Sequence, residues 1–344
     1  MQLDKRKCAV LSAAVREHIR TGEPVGSKVI AERLAYAVSP ATIRNDMAEL
    51  SSLGLLAQPH TSAGRVPTAK AFRVYVDQLM FREPLSEDHR NRIDERLESA
   101  AGDPERLMRQ ASELLAEATG YAVVTAAPDR QGVCVRRVEV LPTGPRSAAV
   151  LLMTDGGGLQ TRVCRLERDA DAAVLEQLAG RLTAQFSGKR LADIGPADVQ
   201  RSLLSLLDGH GLAYAAVLTA FADLVQESAQ SQVQLSGQLN LLQHPDYQPE
   251  RARSLLMFLS HRQQLANMLT AHSGGLRVLI GSESPRPELD GSSIIVTRYT
   301  SGSRKGGTLG LIGPLRMDYD HTIPRLEYVA QCVSRLLTDI FSEK

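Results

Sequence analysis

The sequence has no tryptophan, only four cysteines and no long run of apolar residues. The cysteines are scattered, without a Cys-X-X-Cys pair or a histidine at metal-ligand spacing, which argues against a disulfide framework and a zinc site. We therefore expect a reducing, cytoplasmic compartment and no metal or other cofactor. No apolar segment approaches the length of a membrane span, and charged residues follow Met1 too closely for a signal peptide. We expect no membrane association.

Sequence motifs of enzymes are also missing. The segment from Gly302 to Thr308 has the composition of a phosphate-binding loop, but Lys305 precedes the paired glycines, so the P-loop spacing fails and we interpret the segment as a hairpin tip. No Gly-X-Ser-X-Gly sequence occurs, and no Ser, His and Asp set is indicated by spacing. Because catalytic triads are spatial, an enzyme with a docking module stays as an alternative. The sequence favours a protein that is not an enzyme.

The net charge of +1 says nothing about a nucleic-acid partner, but its distribution is informative. Residues 1–84 contain 12 Lys and Arg against 8 Asp and Glu, a net charge of +4, whereas the rest of the chain carries −3. Sequence-independent affinity for DNA comes from neutralised phosphates. One copy of this mildly basic segment is therefore expected to bind weakly, and two linked copies to bind better.

The segment from Ser27 to Thr68 has the order of a winged helix-turn-helix: a short helix, a turn, a second helix and a hairpin. Ser27 is predicted to be the N-cap of the short helix. The second helix opens with Ser39 as N-cap and Pro40 at the first helical position, where its missing N–H costs nothing. Gly54 is predicted to end this helix.

The second helix has the residue distribution of a recognition helix. At 100° per residue, Ile43, Met47 and Leu50 fall on one stripe and are expected in the core. The opposite side offers groups suited to the major groove, since Arg can bind guanine, Asn can bind adenine and a methyl group can contact thymine. An ordinary amphipathic helix is the alternative for this helix alone. The residues predicted to read bases are Ala41, Thr42, Arg44 and Asn45.

The hairpin between Pro59 and Pro67 is predicted to form the wing. Short hydroxyl side chains, Gly64 and one arginine suit a loop that lies against the sugar-phosphate backbone or in the minor groove. Helix N-termini add free N–H groups that favour phosphate. For His60, a plain turn residue is the alternative. The predicted backbone and wing contacts are Ser27, Lys28, Ser39, His60, Thr61, Ser62 and Arg65.

Beyond the wing, the pattern predicts strands, then helices, then strands again, as in one α+β domain interrupted by an insertion. The helix from Leu212 to Val225 is apolar nearly all round, so it lies either in a domain core or at an obligate interface. Helices are predicted at 68–80, 169–230, 249–272 and 322–341, with further helical sequence over 85–120. Strands are predicted at 121–126, 133–141, 148–153, 159–166, 233–242, 276–280, 293–299 and 308–312.

Two sequence blocks resemble the heat-inducible transcription repressor HrcA family. The first combines EPVGSK (Glu23 to Lys28) with SPATIRNDMAELSSLGLLAQPHTSAGRVPT (Ser39 to Thr68) and continues through FRVYV at 72–76. The second is GTLGLIGPLRMDY (Gly307 to Tyr319). Together they bracket nearly the whole chain.

The resemblance implies an α+β multidomain fold: an N-terminal winged helix-turn-helix, then a GAF-like α/β sheet domain interrupted by an inserted, mostly helical dimerisation domain. The expected limits are 1–84 for the DNA-binding domain, 85–168 with 273–344 for the GAF-like domain, and 169–272 for the insertion. The implied function is a homodimeric repressor of the chaperone operons groESL and dnaK. It would bind an inverted-repeat operator in double-stranded DNA (the CIRCE element), with support from the GroEL chaperonin and relief by heat. A metabolite-responsive regulator, with an effector in the GAF-like domain, is the alternative.

Overall fold

The computed structural model describes residues 3–60, 64–126, 132–155, 158–195, 197–199, 201, 215–229, 233–270, 274–301 and 306–342. The chain forms two compact units, one from residues 1–127 and 233–344 and the other from residues 128–232. The second unit therefore lies between the two chain segments of the first.

The N-terminal elements of the first unit form a winged helix-turn-helix, so the predicted order of elements is confirmed. Caps set the ends of the first helix: the Asp4 carboxylate accepts a hydrogen bond from the Lys7 amide at 2.8 Å, and Gly22 follows the last turn in the left-handed region. Gly54, also left-handed with φ +73°, follows the recognition helix as predicted. The elements are α1 (Lys5–Thr21), α2 (Ser27–Arg33), α3 (Pro40–Ser52), β1 (Leu56–Ala57), β2 (Val66–Pro67) and α4 (Ala69–Val74).

Helix α4 begins as predicted, because the Thr68 hydroxyl accepts a hydrogen bond from the Ala71 amide at 3.3 Å. It does not run as an α-helix to Met80, however, since Tyr75–Leu79 form a π-helical turn that ends with the Met80 amide bonded to the Tyr75 carbonyl at 2.7 Å. A single wide turn leaves no mark in apolar periodicity, so the sequence pattern could not separate it from α-helix.

Two helices and a strand complete the first chain segment of this unit, in agreement with the helical prediction for 85–120. Ser86 and Asp103 cap the two helices, and Pro104 occupies the first position of the second one. Gly120, in the left-handed region, ends that helix ahead of the strand. The elements are α5 (Glu87–Glu98), α6 (Pro104–Thr119) and β3 (Ala122–Ala126).

The second unit is a three-stranded antiparallel sheet covered on one face by two helices. Val138, Val150 and Leu152 point to that face, and Phe186 and Phe221 meet between the helices with ring centroids 5.1 Å apart. The elements, all predicted in type from the sequence, are β4 (Val135–Gly144), β5 (Ser147–Thr154), β6 (Leu159–Arg165), α7 (Ala172–Phe186) and α8 (Ala215–Ala229).

Helix α8 corresponds to the apolar helix predicted over 212–225, of which residues 212–214 lie outside the described part. Val217, Leu218 and Phe221 are buried in the core of the second unit, so the core interpretation of this helix is the one the structure supports. Arg162 of β6 pairs with Asp223 at 2.6 Å and with Glu227, which ties the helix to the sheet edge.

The chain then returns to the first unit, where β3 joins a five-stranded antiparallel sheet in the order β7-β3-β10-β9-β8. One face packs against α5, α6, the closing helix and the DNA-binding elements, and the other packs against the two helices before β8. The elements are β7 (Val233–Ser236), α9 (Asn240–Gln243), α10 (Pro249–Ser260), α11 (Arg262–Thr270), β8 (Arg277–Ile280), β9 (Ser292–Arg298), β10 (Thr308–Pro314) and α12 (Tyr319–Ser342).

Two predictions for this part need correction. The strand predicted over 233–242 ends at Ser236, because Gly237 adopts φ +66° and the chain turns into α9. The closing helix begins at Tyr319, ahead of the predicted residue 322. Residues 302–305 of the predicted hairpin tip lie outside the described part, although β9 and β10 pair as its two arms. None of the helices in the described ranges combines the length and apolar composition of a membrane span.

The two compact units divide the chain at positions other than the predicted domain limits. Strands β4 to β6, assigned by those limits to the GAF-like domain, share a core with α7 and α8. Residues 233–272, assigned to the insertion, belong instead to the first unit, where β7 pairs with β3. The grouping depends on strand pairing between segments that are distant in the sequence, and local sequence patterns do not indicate such pairing.

Candidate nucleic-acid interface

Helix α3 is held by one apolar face, as the helical projection predicts. Ile43 and Leu50 are fully buried and Met47 nearly so. At its start the Ser39 hydroxyl accepts a hydrogen bond from the Thr42 amide at 3.1 Å, and Pro40 occupies the first helical position. The N-terminal half of the helix therefore has a fixed direction and an outward face opposite the core stripe.

Three of the four predicted base readers lie together on that outward face. Ala41, Arg44 and Asn45 are exposed, and Arg44 forms no ion pair with any residue that the structure describes. Thr42 is half-buried, and its hydroxyl lies 2.8 Å from the Ser39 hydroxyl. The capping interaction thus engages the polar group of Thr42, and its methyl group is what remains for contact with a base.

The acidic residues of α3 are neutralised by α1, a feature that the sequence did not indicate. Asp46 is buried, with only 2% of its side chain exposed, and it accepts two hydrogen bonds from Arg6 at 2.8 and 2.9 Å. Glu49 pairs with Lys7 at 2.6 Å. These pairs fix α1 against α3 and cancel two negative charges beside the outward face, which lowers the repulsion that phosphates would meet there.

The second arm of the wing makes a short antiparallel contact with the segment that precedes α2. Val25 and Arg65 exchange two backbone hydrogen bonds, at 2.8 and 2.9 Å. A Cβ at Gly64 would lie 2.5 Å from the Val25 carbonyl oxygen, so the close approach of the two chains requires glycine at this position. β1 and β2 pair next to this bridge, with Ala57 opposite Val66.

The predicted wing residues are only partly described. His60 is exposed, while Thr61 and Ser62 lie outside the described residues. Arg65 is half-buried and its guanidinium donates to the side-chain oxygen of Gln58. Because this partner is neutral, the interaction orients Arg65 without cancelling its charge.

The predicted phosphate contacts at the helix N-termini need one correction. Gly26, with extended backbone, is the N-cap of α2, and Ser27 is its first helical residue and makes no capping hydrogen bond. Lys28 is exposed, whereas Ser27 is half-buried. Ser39 is exposed, and its hydroxyl already covers the amide of Thr42. Of these three predicted contacts, Lys28 alone carries a charge, and it is exposed.

Comparison with known families agrees with this geometry. A family model described as "Winged helix-turn-helix transcription repressor, HrcA DNA-binding" matches residues 2–79. A second, described as "HrcA protein C terminal domain", matches residues 105–323. The chain belongs to the HrcA family. This is a family of DNA-binding transcription repressors and not of enzymes, so the resemblance seen in the sequence is confirmed.

Individual relatives extend over nearly the whole chain. The heat-inducible transcription repressor HrcA of Desulforudis audaxviator is 34% identical over 99% of this chain and 100% of its own length. The protein of the same name from Kineococcus radiotolerans is 38% identical over 97% of this chain and 99% of its own. A crystal structure of a hypothetical protein aligns with 98% of this chain and 100% of its own, with a TM-score of 0.68 and 25% identity. That likeness supports the fold.

We expect Arg44→Ala or Asn45→Ala to cost about 1–3 kcal/mol in binding to the cognate operator and to relax specificity at one base pair in each half-site. The reason is the loss of a bidentate contact to one base. Binding titrations on the operator and on single-base variants measure both effects. Ser52→Ala, an exposed change at the C-terminal end of the same helix, is the control. Equal weakening on random DNA would show that the residue contacts phosphate.

We expect Arg65→Ala to weaken binding to all sequences alike and to reduce the slope of log affinity against log salt by about 1 for each bound copy, because each copy loses one phosphate contact. Affinities at four or five salt concentrations, on operator and random duplexes, test this. An unchanged slope would remove the wing arginine from the interface. Gln58→Ala separates the charge of Arg65 from its orientation. This change removes the hydrogen-bond partner but leaves the charge in place, so the salt slope should stay nearly unchanged.

Proposed function

We propose that this chain is a homodimeric repressor that binds the CIRCE inverted repeat upstream of the chaperone operons groESL and dnaK in the cytoplasm. The observation that carries this proposal is the outward face of α3, where Ala41, Arg44 and Asn45 are exposed opposite a fully packed core stripe. Small and hydrogen-bonding side chains on the first turns of such a helix suit base edges in the major groove. Repression follows from occupancy of the operator.

A two-fold symmetric dimer explains why the operator is an inverted repeat. Each half-site meets an identical recognition helix, so protein symmetry and DNA symmetry coincide. The small positive charge of residues 1–84 supports this proposal, because a net charge of +4 gives one copy few phosphate contacts. Linking two copies multiplies their affinities when both half-sites are reached at once.

The second unit has a surface suited to pairing two copies. One face of its sheet packs on α7 and α8, and the other presents apolar side chains on all three strands. Leu141, Leu159 and Val163 on that outer face are 50%, 59% and 64% exposed. In register, Leu141 and Val163 flank Ala149, and Leu159 lies beside Met153. The same face carries Thr161 and the ion pair between Arg137 and Glu139. An exposed face that combines several apolar side chains with a few polar ones is typical of an interface.

The domain assignment is part of the same proposal. The five-stranded sheet with helices on both faces is assigned as the GAF-like domain, and the insertion as the dimerisation domain. The outer face of β4 to β6 favours a dimerisation domain that begins near residue 128, rather than at the predicted residue 169. The limits 1–84, 85–168 with 273–344, and 169–272 stay predictions.

Heat control is proposed from the relatives, which are named heat-inducible repressors. We propose that the GroEL chaperonin supports the active dimer and that heat diverts the chaperonin and relieves repression. Any partner that favours the folded, DNA-binding state over the unfolded one raises its population by mass action, and withdrawal of that partner lowers it again.

We expect Val163→Glu to convert the dimer to monomers and to lower affinity for the full inverted repeat, with little change on a single half-site. The physical reason is a charge placed in the apolar contact face. Sedimentation velocity and binding to whole and half operators measure the two effects. Leu242→Glu, at a leucine 52% exposed in the first unit, is the matched control. A Val163→Glu protein that stays dimeric would exclude this face as the interface.

The whole proposal is tested by a gel shift at physiological salt with the inverted repeat and a scrambled duplex, each with and without GroEL. We expect tight binding to the repeat only, with a larger active fraction when the chaperonin is present. Equal binding to the scrambled duplex would contradict operator recognition. Equal active fractions with and without GroEL would contradict the chaperonin's role alone.

A further inference from the structure

The DNA-binding segment (residues 3–60 and 64–80) is attached to the remainder of the first unit by three groups of polar contacts. The first centres on Arg73 of α4. Its guanidinium donates to Glu283 at 2.8 Å, where it forms a two-pronged pair, and to the Val278 carbonyl at 2.6 Å. Glu283 also accepts a hydrogen bond from the Ile280 amide at 2.9 Å. Arg73 thus binds both β8 and the turn after it.

The second group centres on Tyr75, a buried residue in the π-helical turn. The Tyr75 hydroxyl donates to Asp320 of α12 at 2.6 Å and accepts from Arg16 of α1 at 3.0 Å. The Arg16 guanidinium lies 3.3 Å from the same Asp320 oxygen. Burial raises the pKa of Asp320, and the hydrogen bond from Tyr75 and the charge of Arg16 oppose that rise. One carboxylate therefore joins α1, the π-helical turn after α4, and α12.

The third group fixes the C-terminal end of α1. Arg316, which follows β10, donates to the Ile19 carbonyl at 3.0 Å and to Asp246 at 2.9 Å. Its side chain is 14% exposed and lies against Gly22, where a Cβ would meet the guanidinium at 3.1 Å. Arg316 therefore satisfies a carbonyl in the last helical turn that would otherwise lack a partner.

These contacts determine how the recognition helix is presented. Helix α3 is paired to α1 through Asp46 and Glu49, and α1 is held to α12 and to the end of β10 by the second and third groups. A change in the angle of α3 relative to the five-stranded sheet must therefore break polar contacts, among them the buried hydrogen bond between Tyr75 and Asp320.

We propose that Arg73, Tyr75 and Arg316 are positioning residues for operator recognition, and that they set the half-site spacing that the dimer accepts. This inference rests on the proposed dimeric function. One base pair moves the second half-site by about 3.4 Å along the duplex and rotates it by roughly 35°. A rigid attachment makes such a displacement costly, whereas a loose attachment tolerates it.

The first test measures the attachment without DNA. Spin-labelled non-natural amino acids at the exposed positions 48 of α3 and 98 of α5 report one distance distribution in the full-length chain. We expect a narrow distribution in the otherwise unchanged chain and a clearly broader one in Arg73→Gln, Tyr75→Phe, Arg316→Gln and their combination. The control is Arg96→Gln, which removes a similar two-pronged pair with Glu117 outside the DNA-binding segment. An unchanged width in the variants would overturn the proposal.

The second test measures spacing on DNA, with inverted repeats that carry the native spacer or one base pair more or fewer, and a single half-site. We expect the unaltered protein to prefer the native spacer by about tenfold or more, and the variants to lose most of that preference while half-site affinity stays the same. Variants with a broader distribution but an unchanged spacer preference would overturn the link to spacing. An unaltered protein that binds the repeat no better than the half-site would instead overturn the dimeric function, and the distance measurement would still test the attachment.

Thermal unfolding identifies any variant that is merely unstable. The single Arg73→Gln change, at a side chain 27% exposed, is the mildest of the set.

Discussion

The continuity of one apolar core through the first unit is the constraint on which the rest of the structure depends. Residues of α1, α3 and α4 share this core with α5, α6, α12 and one face of the five-stranded sheet. Phe72 of α4 meets Tyr319 of α12 with ring centroids 6.1 Å apart, and both side chains are buried. A DNA-binding module on a flexible linker would tumble independently of its body. In this protein the DNA-binding elements share one core with the rest of the first unit, so the packing against the five-stranded sheet sets their orientation.

Ion pairs between α1 and α3 neutralise charges on a helix whose orientation the apolar core already fixes. The buried Asp46 and the exposed Glu49 would repel DNA phosphates if they were unpaired. Each of them forms an ion pair with a basic residue of α1. The cost is that Arg6 and Lys7 are committed to internal pairs and add less to the charge that meets DNA. The basic surface available to one copy is therefore smaller than its count of lysines and arginines suggests. We expect these internal pairs to favour selectivity, because they lower the sequence-independent attraction between the protein and DNA phosphates.

Most of the local structure could be predicted from the sequence. The recognition helix, its cap at Ser39, its stop at Gly54 and its core stripe all depend on residues within a few positions of each other, and the structure agrees with each. The features that could not be predicted depend on distant partners. Arg6 and Asp46 are 40 residues apart, and nothing in the neighbourhood of either indicates the other. The sequence predicts the start of α2 one residue too late, because Gly26 occupies the N-cap position without a capping side chain. Which base each exposed residue of α3 meets stays a prediction, since that depends on DNA as well as on the chain.

The position at which the second unit leaves the first has a consequence for how this architecture can change. Ala126, at the end of β3, is the direct partner of Val233, at the start of β7. Neighbouring antiparallel strands are about 5 Å apart, so the whole second unit occupies the place of a hairpin loop. The free energy of closing a loop rises only slowly with its length. The sheet therefore tolerates nearly any folded insert whose two ends meet. Evolution can lengthen, replace or reshape the second unit at this junction, and the DNA-binding segment keeps its position on the five-stranded sheet.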